Sequence, residues 1–312
     1  MQKLGKWLLR GMLRLLSKLP LRVHYALCAP LTWLARDVFR YRRKVVEHNL
    51  ALCFPDKSEK ERKAMLRGYY RHLGEIVAET IWFGGCRRKP ERLRRQRLVE
   101  IVNPEVATEL FDASPSLMVM ISHSGNWELL YGLATNSFSD EPMPFTEQNF
   151  CAVYRQQSSA TWDAIFRENR LAPLQDPEHF QGYIESRDIM LHVLRHRDEK
   201  KAYFFATDQR PYAVAQGMAE VDFMGQHTYT MTGGAALARK LGLPVAFLSI
   251  RSDRRGHYLF RFIPICRDAS QVDAQQIMQQ YYHLLEEDIR QQPELYLWSH
   301  RRFARPKNLK TQ

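Results

Sequence analysis

His123-Ser-Gly-Asn-Trp-Glu128 sets an imidazole and a carboxylate five residues apart, with a glycine between them. A carboxylate on one ring nitrogen of a histidine fixes the tautomer. The other nitrogen is then free to take a proton from a hydroxyl. That chemistry makes an alcohol nucleophilic, so His123 is the candidate general base and Glu128 its candidate orienting partner. The pair alone is a weak signal, because a His and a Glu at this distance recur in many chains with no catalytic role. Zinc binding fits less well, since two helical ligands on one face usually stand four residues apart.

The setting strengthens the pair. An apolar run at 117–121 precedes it and reads as a short buried strand, and 127–135 follows it and reads as a helix. His123 therefore belongs at a strand end and Glu128 in the first helical turn, from which it can fold back onto the ring. Gly125 allows close approach, and the free N–H groups of a helix start favour an anion. Backbone N–H groups near 125–127 are the expected donors to a tetrahedral oxyanion. Strand tips are also where α/β sheets carry their ligand sites.

Other residues could share that edge. Arg155 follows a candidate strand and Arg170 a candidate helix; two guanidiniums near the His/Glu pair would suit a phosphorylated ligand, and singly each reads as a surface ion-pair residue. Asp208-Gln209 ends another strand, where the acid could orient an arginine or a substrate hydroxyl, or simply cap a turn. Thr230-Met-Thr-Gly-Gly234 reads as a helix start but lacks the lysine of a phosphate loop. No G-x-G-x-x-G or G-x-S-x-G pattern occurs.

The elements that must hold these residues alternate. Candidate strands lie at 117–121, 151–154, 202–206, 244–250 and 257–264, and a last short one at 295–298. Candidate helices lie at 127–135, 159–169, 181–196, 231–241 and 272–291. Upstream, 41–49 reads as helical, and Ser58-Glu-Lys-Glu61 is a capping pattern opening a helix to about Phe83. The alternation predicts an α/β fold with a largely parallel central sheet flanked by helices. No internal repeat, linker or second globular domain is visible in the 312 residues.

Charge is concentrated at one end. Residues 1–44 hold eleven Lys or Arg against the single acid Asp37, so they carry +10 of the chain's +12. Lys3, Lys6, Arg10, Arg14 and Lys18 recur at helical spacing, while Leu4, Trp7, Leu8, Met12, Leu15, Leu16 and Leu19 cover most of the remaining arc. Pro20 should break that helix. A basic helix with Trp and Leu is the pattern of a segment lying in a membrane interface on anionic lipid. An ordinary surface helix packed on the domain and a single tilted span over 7–35 are the alternatives, the latter burdened by Arg22. The expected division is thus a membrane-associating segment at 1–44 and a catalytic domain at 45–312. A second basic run, 86–98, has seven basic residues and one acid. It reads as a solvated connector or, less simply, as a phosphate-facing surface. Five scattered cysteines without a C-x-x-C pair point to a reducing compartment rather than a disulfide framework. Nucleic-acid binding lacks both its motifs and its aromatic-interleaved basic strands.

Together these stretches resemble the late acyltransferases of lipid A biosynthesis, within the wider lysophospholipid and glycerolipid acyltransferase group. The resemblance covers most of the chain. It runs through Tyr41-Arg-Arg-Lys-Val-Val-Glu-His-Asn49, Phe54-Pro55, the His123…Glu128 signature and Val153-Tyr154-Arg155. It continues through Thr207-Asp208-Gln209, Val221-Asp-Phe-Met-Gly225 and the closing Trp298-Ser-His-Arg-Arg-Phe303. The resemblance implies an α/β enzyme on the cytoplasmic face of the inner membrane. Such an enzyme moves a fatty acyl chain from a thioester, on acyl carrier protein or CoA, to a hydroxyl of a lipid A precursor, with no metal or redox cofactor. It implies His123 as base, Glu128 as its partner, and Arg155, Arg170, Asp208 and Asn126 as substrate-binding residues. The same chemistry on another lipid acceptor, such as a lysophospholipid or an amino-acid lipid, is the near alternative. A non-enzymatic basic membrane scaffold is the distant one.

Overall fold

The computed structural model describes residues 2–306 except 136, 137, 139–142 and 212–216, with side chains from residue 7 onward. Lys3, Leu4 and Lys6 of the amphipathic pattern therefore lie outside the described side chains. Four helices lead: α1 (Gln2–Leu16), α2 (Leu21–Trp33), α3 (Arg43–Cys53) and α4 (Glu59–Phe83). Pro20 separates the first two, as a residue without an N–H should. The Ser58 side chain accepts from the Glu61 N–H and the Glu61 carboxylate accepts from the Ser58 N–H, so the expected capping box opens α4.

α5 (Pro90–Gln96), β1 (Val99–Ile101) and α6 (Pro104–Asp112) lead into β2 (Leu117–Ile121). Beyond the 3-10 helix Trp127–Thr135 come β3 (Phe150–Tyr154), α7 (Ala160–Arg170), β4 (Tyr183–Glu185), α8 (Ile189–Arg195) and β5 (Ala202–Ala206). A hairpin of β6 (Met218–Phe223) and β7 (Gln226–Met231) precedes α9 (Gly233–Leu241), β8 (Val245–Arg254), β9 (His257–Cys266) and α10 (Ala274–Gln291). Among the described residues the main sheet has seven strands in the order β1-β9-β8-β2-β5-β3-β4. From β8 to β4 every neighbour is parallel, and only the β8–β9 pair is antiparallel. The expected α/β class with a mostly parallel sheet is what forms.

β2 sits mid-sheet, and all five of its residues are buried. Its side chains alternate between two cores, Leu117, Val119 and Ile121 on one face, Met118 and Met120 on the other. A strand covered on both faces reads as a continuous apolar run, which is why 117–121 was legible without alternation.

Three expectations differ from what forms. Residues 181–196 are not one helix: Tyr183–Glu185 pairs with β3 as an edge strand before α8 begins. Long-range pairing there overrides local helical pattern. Residues 295–298 are not a strand; Tyr296 makes a single bridge to Ser124. The segment 127–135 winds as a 3-10 rather than an α-helix. The β6–β7 hairpin was not expected, and its turn, Met224-Gly225, has positive φ at both residues.

Asn103 extends the β1 edge by pairing both ways with the Phe262 backbone, donating to its carbonyl at 2.8 Å and accepting from its N–H at 2.9 Å. Asn103→Ala would leave two backbone groups buried and unpaired. It is expected to cost about 1–3 kcal/mol, read as a lower denaturant midpoint at unchanged slope.

Candidate active site

The register of two parallel strands builds the site. Ile121, the last residue of β2, lies opposite Ala206, the last residue of β5. Two residues beyond each stand His123 and Asp208. The His123 Nδ1 and an Asp208 carboxylate oxygen are 2.6 Å apart. Asp208 is 2% exposed and His123 19%, so the acid is enclosed while the imidazole reaches the surface. Burial raises the Asp208 carboxyl, but the imidazole beside it more than compensates and holds it below the usual carboxylate range. Asp208 is therefore ionised and can only accept, which puts the proton on Nδ1 and leaves Nε2 as the open nitrogen. The exposed Gln209 side-chain amide faces Nε2 at 3.3 Å. Burial lowers the His123 pKa, and the Asp208 charge and hydrogen bond overcome this and raise it.

Both strand ends are clamped from α10. The Tyr281 hydroxyl donates to the Ile121 carbonyl at 2.8 Å, and the Tyr282 hydroxyl to the Thr207 carbonyl at 2.9 Å. The closing segment clamps the loop between them: Leu297 N–H donates to the His123 carbonyl and Gly125 N–H to the Leu295 carbonyl. The carbonyls of Trp298 and His300 accept from one Asn49 amide on α3. Gly125 has φ +57, and a Cβ there would overlap Ile250, so the glycine permits both the turn and the packing.

Glu128 does not orient the imidazole. Its two oxygens accept from Arg170 Nε and Nη2, each at 2.7 Å, and one also from the Trp127 indole N–H at 3.0 Å. The carboxylate on His123 belongs to Asp208. The 3-10 winding of 127–135 and the approach of α7 turn Glu128 toward Arg170. Burial raises the Glu128 carboxyl, but Arg170 more than offsets this and holds it ionised. Glu128 still acts on His123 through its charge, and Trp127 packs edge-on to the imidazole at 5.1 Å.

The other expected residues fare differently. Arg170 is in the cluster, bound to Glu128 and to the Tyr183 hydroxyl at 3.3 Å. Asn126 is fully buried and faces the protein. Its amide donates to Glu79 at 2.8 Å and its oxygen accepts from Glu128 N–H at 3.2 Å, so both ends of the side chain are engaged inside the protein. Arg155 is exposed beyond β3, with no hydrogen bond or ion pair to the cluster among the described residues. Gly125 N–H is spent on Leu295 and is not an oxyanion donor.

Two features escaped the sequence. Glu79, completely buried in α4, accepts from Asn126, from Tyr25 of α2 at 2.6 Å and from Tyr258 of β9 at 2.8 Å. Burial raises its pKa against those donors. Nothing in a helical repeat distinguishes such a glutamate from a solvated one. His300 is close enough to feel the charges of both Asp208 and His123; burial pushes it down to about 4, so it stays neutral. Its place in the closing Trp298…Phe303 motif was its only signal.

A buried acid holds an imidazole at the carboxyl ends of parallel strands, with the second nitrogen at the surface, an arrangement able to accept a proton. The sequence pattern of the bacterial lipid A biosynthesis acyltransferases matches residues 1–305. The chain belongs to that family, and it is an acyltransferase. It is 27% identical over 310 residues, 97% of this chain and 92% of the relative, to the lipid A biosynthesis lauroyltransferase of Escherichia coli (strain K12). It is 25% identical over 304 residues, 95% and 90%, to the lipid A biosynthesis palmitoleoyltransferase of the same organism. The same figures hold for a lipid A biosynthesis acyltransferase of Shigella flexneri.

Arg170→Met would leave the enclosed Glu128 carboxylate without its cation. The expected loss is about 3–5 kcal/mol, the cost of breaking a buried pair from one side. Adding Glu128→Gln should recover a large part of it. Thermal unfolding of the two variants checks both.

Proposed function

We propose that this enzyme transfers a fatty acyl chain from a thioester, on acyl carrier protein or CoA, to a hydroxyl of a lipid A precursor. The observation that carries the reading is the 2.6 Å contact between His123 Nδ1 and Asp208, which leaves Nε2 open. The acceptor hydroxyl replaces the Gln209 amide at Nε2 and gives up its proton as its oxygen attacks the thioester carbon. When the tetrahedral species collapses, the C–S bond breaks and the imidazolium returns the proton to the departing thiolate. Asp208 keeps the ring in one tautomer and offsets its positive charge. Glu128 adds a second negative charge, and Arg170 keeps that charge from being neutralised by protonation. The names of the relatives support the acceptor and the reaction.

The N-terminal helices suit a membrane surface. Trp7, Leu8, Met12 and Leu15 on α1, Leu27, Leu31 and Trp33 on α2, and Phe39 beyond them are all exposed. Among the described residues no helix is long and apolar enough to cross a membrane. Exposed Trp and Leu beside arginines are the pattern of a helix lying at the interface. We place the enzyme on the cytoplasmic face of the inner membrane, where such a lipid acceptor would meet a soluble thioester donor.

His123→Ala is expected to lower kcat/KM by about 10²–10⁴, the usual worth of a general base, with binding of the lipid retained. In the wild type the rate should rise with pH through a value above the ordinary histidine pKa of about 6.5, because the base works only when neutral and its pKa is raised. Asp208→Asn removes the cause of that rise, so the acid limb should move to lower pH while the maximum falls. An acid limb that does not move would disprove the pairing. Replacing Trp7, Leu8, Met12 and Leu15 together by serine should release the chain from anionic vesicles in a flotation assay, with the His123 site unaltered.

A further inference from the structure

The basic run at 86–98 is only partly explained by packing. Arg92 donates to the carbonyls of Gly85, Ser17 and Leu19 and stacks over Trp82, so it pins the end of α1 to the body. Arg87 has no such task. It lines a cavity of about 340 Å³ together with Arg10 of α1 and Arg167 of α7.

Charge in that cavity is not balanced. The acids in its wall are Glu168 and Glu178. Glu168 is hydrogen-bonded by Arg14, and Glu178 by Arg88 at 3.3 Å, both from outside the wall. Arg10 and Arg87 share Glu168 as an ion-pair partner at 3.6 and 3.9 Å, neither within hydrogen-bond reach. The Arg10 Nε is buried without a hydrogen bond among the described residues. Arg167 rests over the Tyr183 ring at 5.2 Å, with no ion pair to a carboxylate among the described residues. Three guanidiniums from three separate segments thus line the cavity, two of them sharing one carboxylate and neither hydrogen-bonded to it. Such a fork set matches the three equivalent oxygens of a phosphate monoester.

Position narrows the occupant. Arg10 and Arg14 border the exposed apolar arc of Trp7, Leu8, Met12 and Leu15 on α1, which puts the cavity at headgroup depth if that arc meets lipid. Its volume holds a phosphorylated sugar and is too small for a helix of a protein partner. One turn along α7, Arg170 reaches Glu128, and Tyr183 touches both Arg167 and Arg170. The cavity therefore adjoins the catalytic cluster.

We infer that Arg10, Arg87 and Arg167 form a subsite for a phosphate monoester on the headgroup of the lipid acceptor, with Glu168 limiting its affinity. The assignment rests on the lipid acceptor proposed above. The phosphate anchors the acceptor at one end while its hydroxyl meets His123.

The test compares a phosphorylated glycolipid acceptor with its dephosphorylated counterpart, using the full chain in phosphatidylcholine nanodiscs. Equilibrium binding and acyl transfer are measured for the wild type, Arg10→Ala/Arg87→Ala, Arg88→Ala and Glu168→Gln. The wild type should prefer the phosphorylated lipid by about tenfold or more. The double variant should lose that preference through KM, with kcat retained, Arg88→Ala should keep it, and Glu168→Gln should strengthen it. An absent preference in the wild type, or one retained in the double variant, would overturn the subsite. So would a rise in KM confined to acyl carrier protein, which would give the arginines to the donor. Binding is read without turnover, so a wild type that transfers no acyl group counts against the proposed function alone and leaves the cavity to the binding data.

Discussion

The parallel pairing of β2 with β5 is the constraint on which the rest depends. With Ile121 opposite Ala206, the residues two places beyond each strand must meet, and they are His123 and Asp208. Neither group could hold its state alone. A buried carboxylate without the imidazole would rise and take up a proton, and a half-enclosed imidazole without the carboxylate would lose its preference for one tautomer. Much of the nearby architecture serves that register: Tyr281 and Tyr282 hold the strand ends from α10, and the closing segment holds the loop between them.

A second enclosed charge pair, Glu128 with Arg170, stands beside the first without a hydrogen bond between them. Desolvation makes each such group costly by itself, and each is kept ionised by a partner at hydrogen-bond distance. The third enclosed acid, Glu79, differs, because its donors are two phenols and an amide rather than a cation. It ties α2 and α4 to Asn126 and so joins the N-terminal helices to the loop that carries His123 and Glu128. One buried carboxylate thus links α2, α4 and β9 to the residue whose side chain accepts from the Glu128 N–H.

Much of the fold was legible in the sequence for a simple reason. Leu117–Ile121 and Ala202–Ala206 are unbroken apolar runs, the α4 start carries a full capping box, and Pro20 breaks the first helix. Local chemistry marks such elements. The β6–β7 turn has Met224 where Asn or Asp would have announced it, and β4 is three residues long. In the site, His123 and Asp208 could each be named as polar residues at strand ends, but not as partners. Strand order is a property of the whole sheet, and the nearer carboxylate in sequence, Glu128, drew the pairing instead. Arg170 was legible as a phosphate or ion-pair residue, and only the packing of α7 shows that it serves Glu128. Asn126 reads as a binding residue from its motif and proves to be fully enclosed.

The most direct measurement is a ¹⁵N NMR titration of the imidazoles in the full chain, with His123 assigned by its absence in His123→Gln. The expected result is a neutral His123 with the proton on Nδ1, a strongly downfield Nδ1 proton, and a pKa above the ordinary histidine value, all three lost in Asp208→Asn. A His123 protonated on Nε2, or one titrating as a free imidazole in both proteins, would contradict the base role and the strand register beneath it.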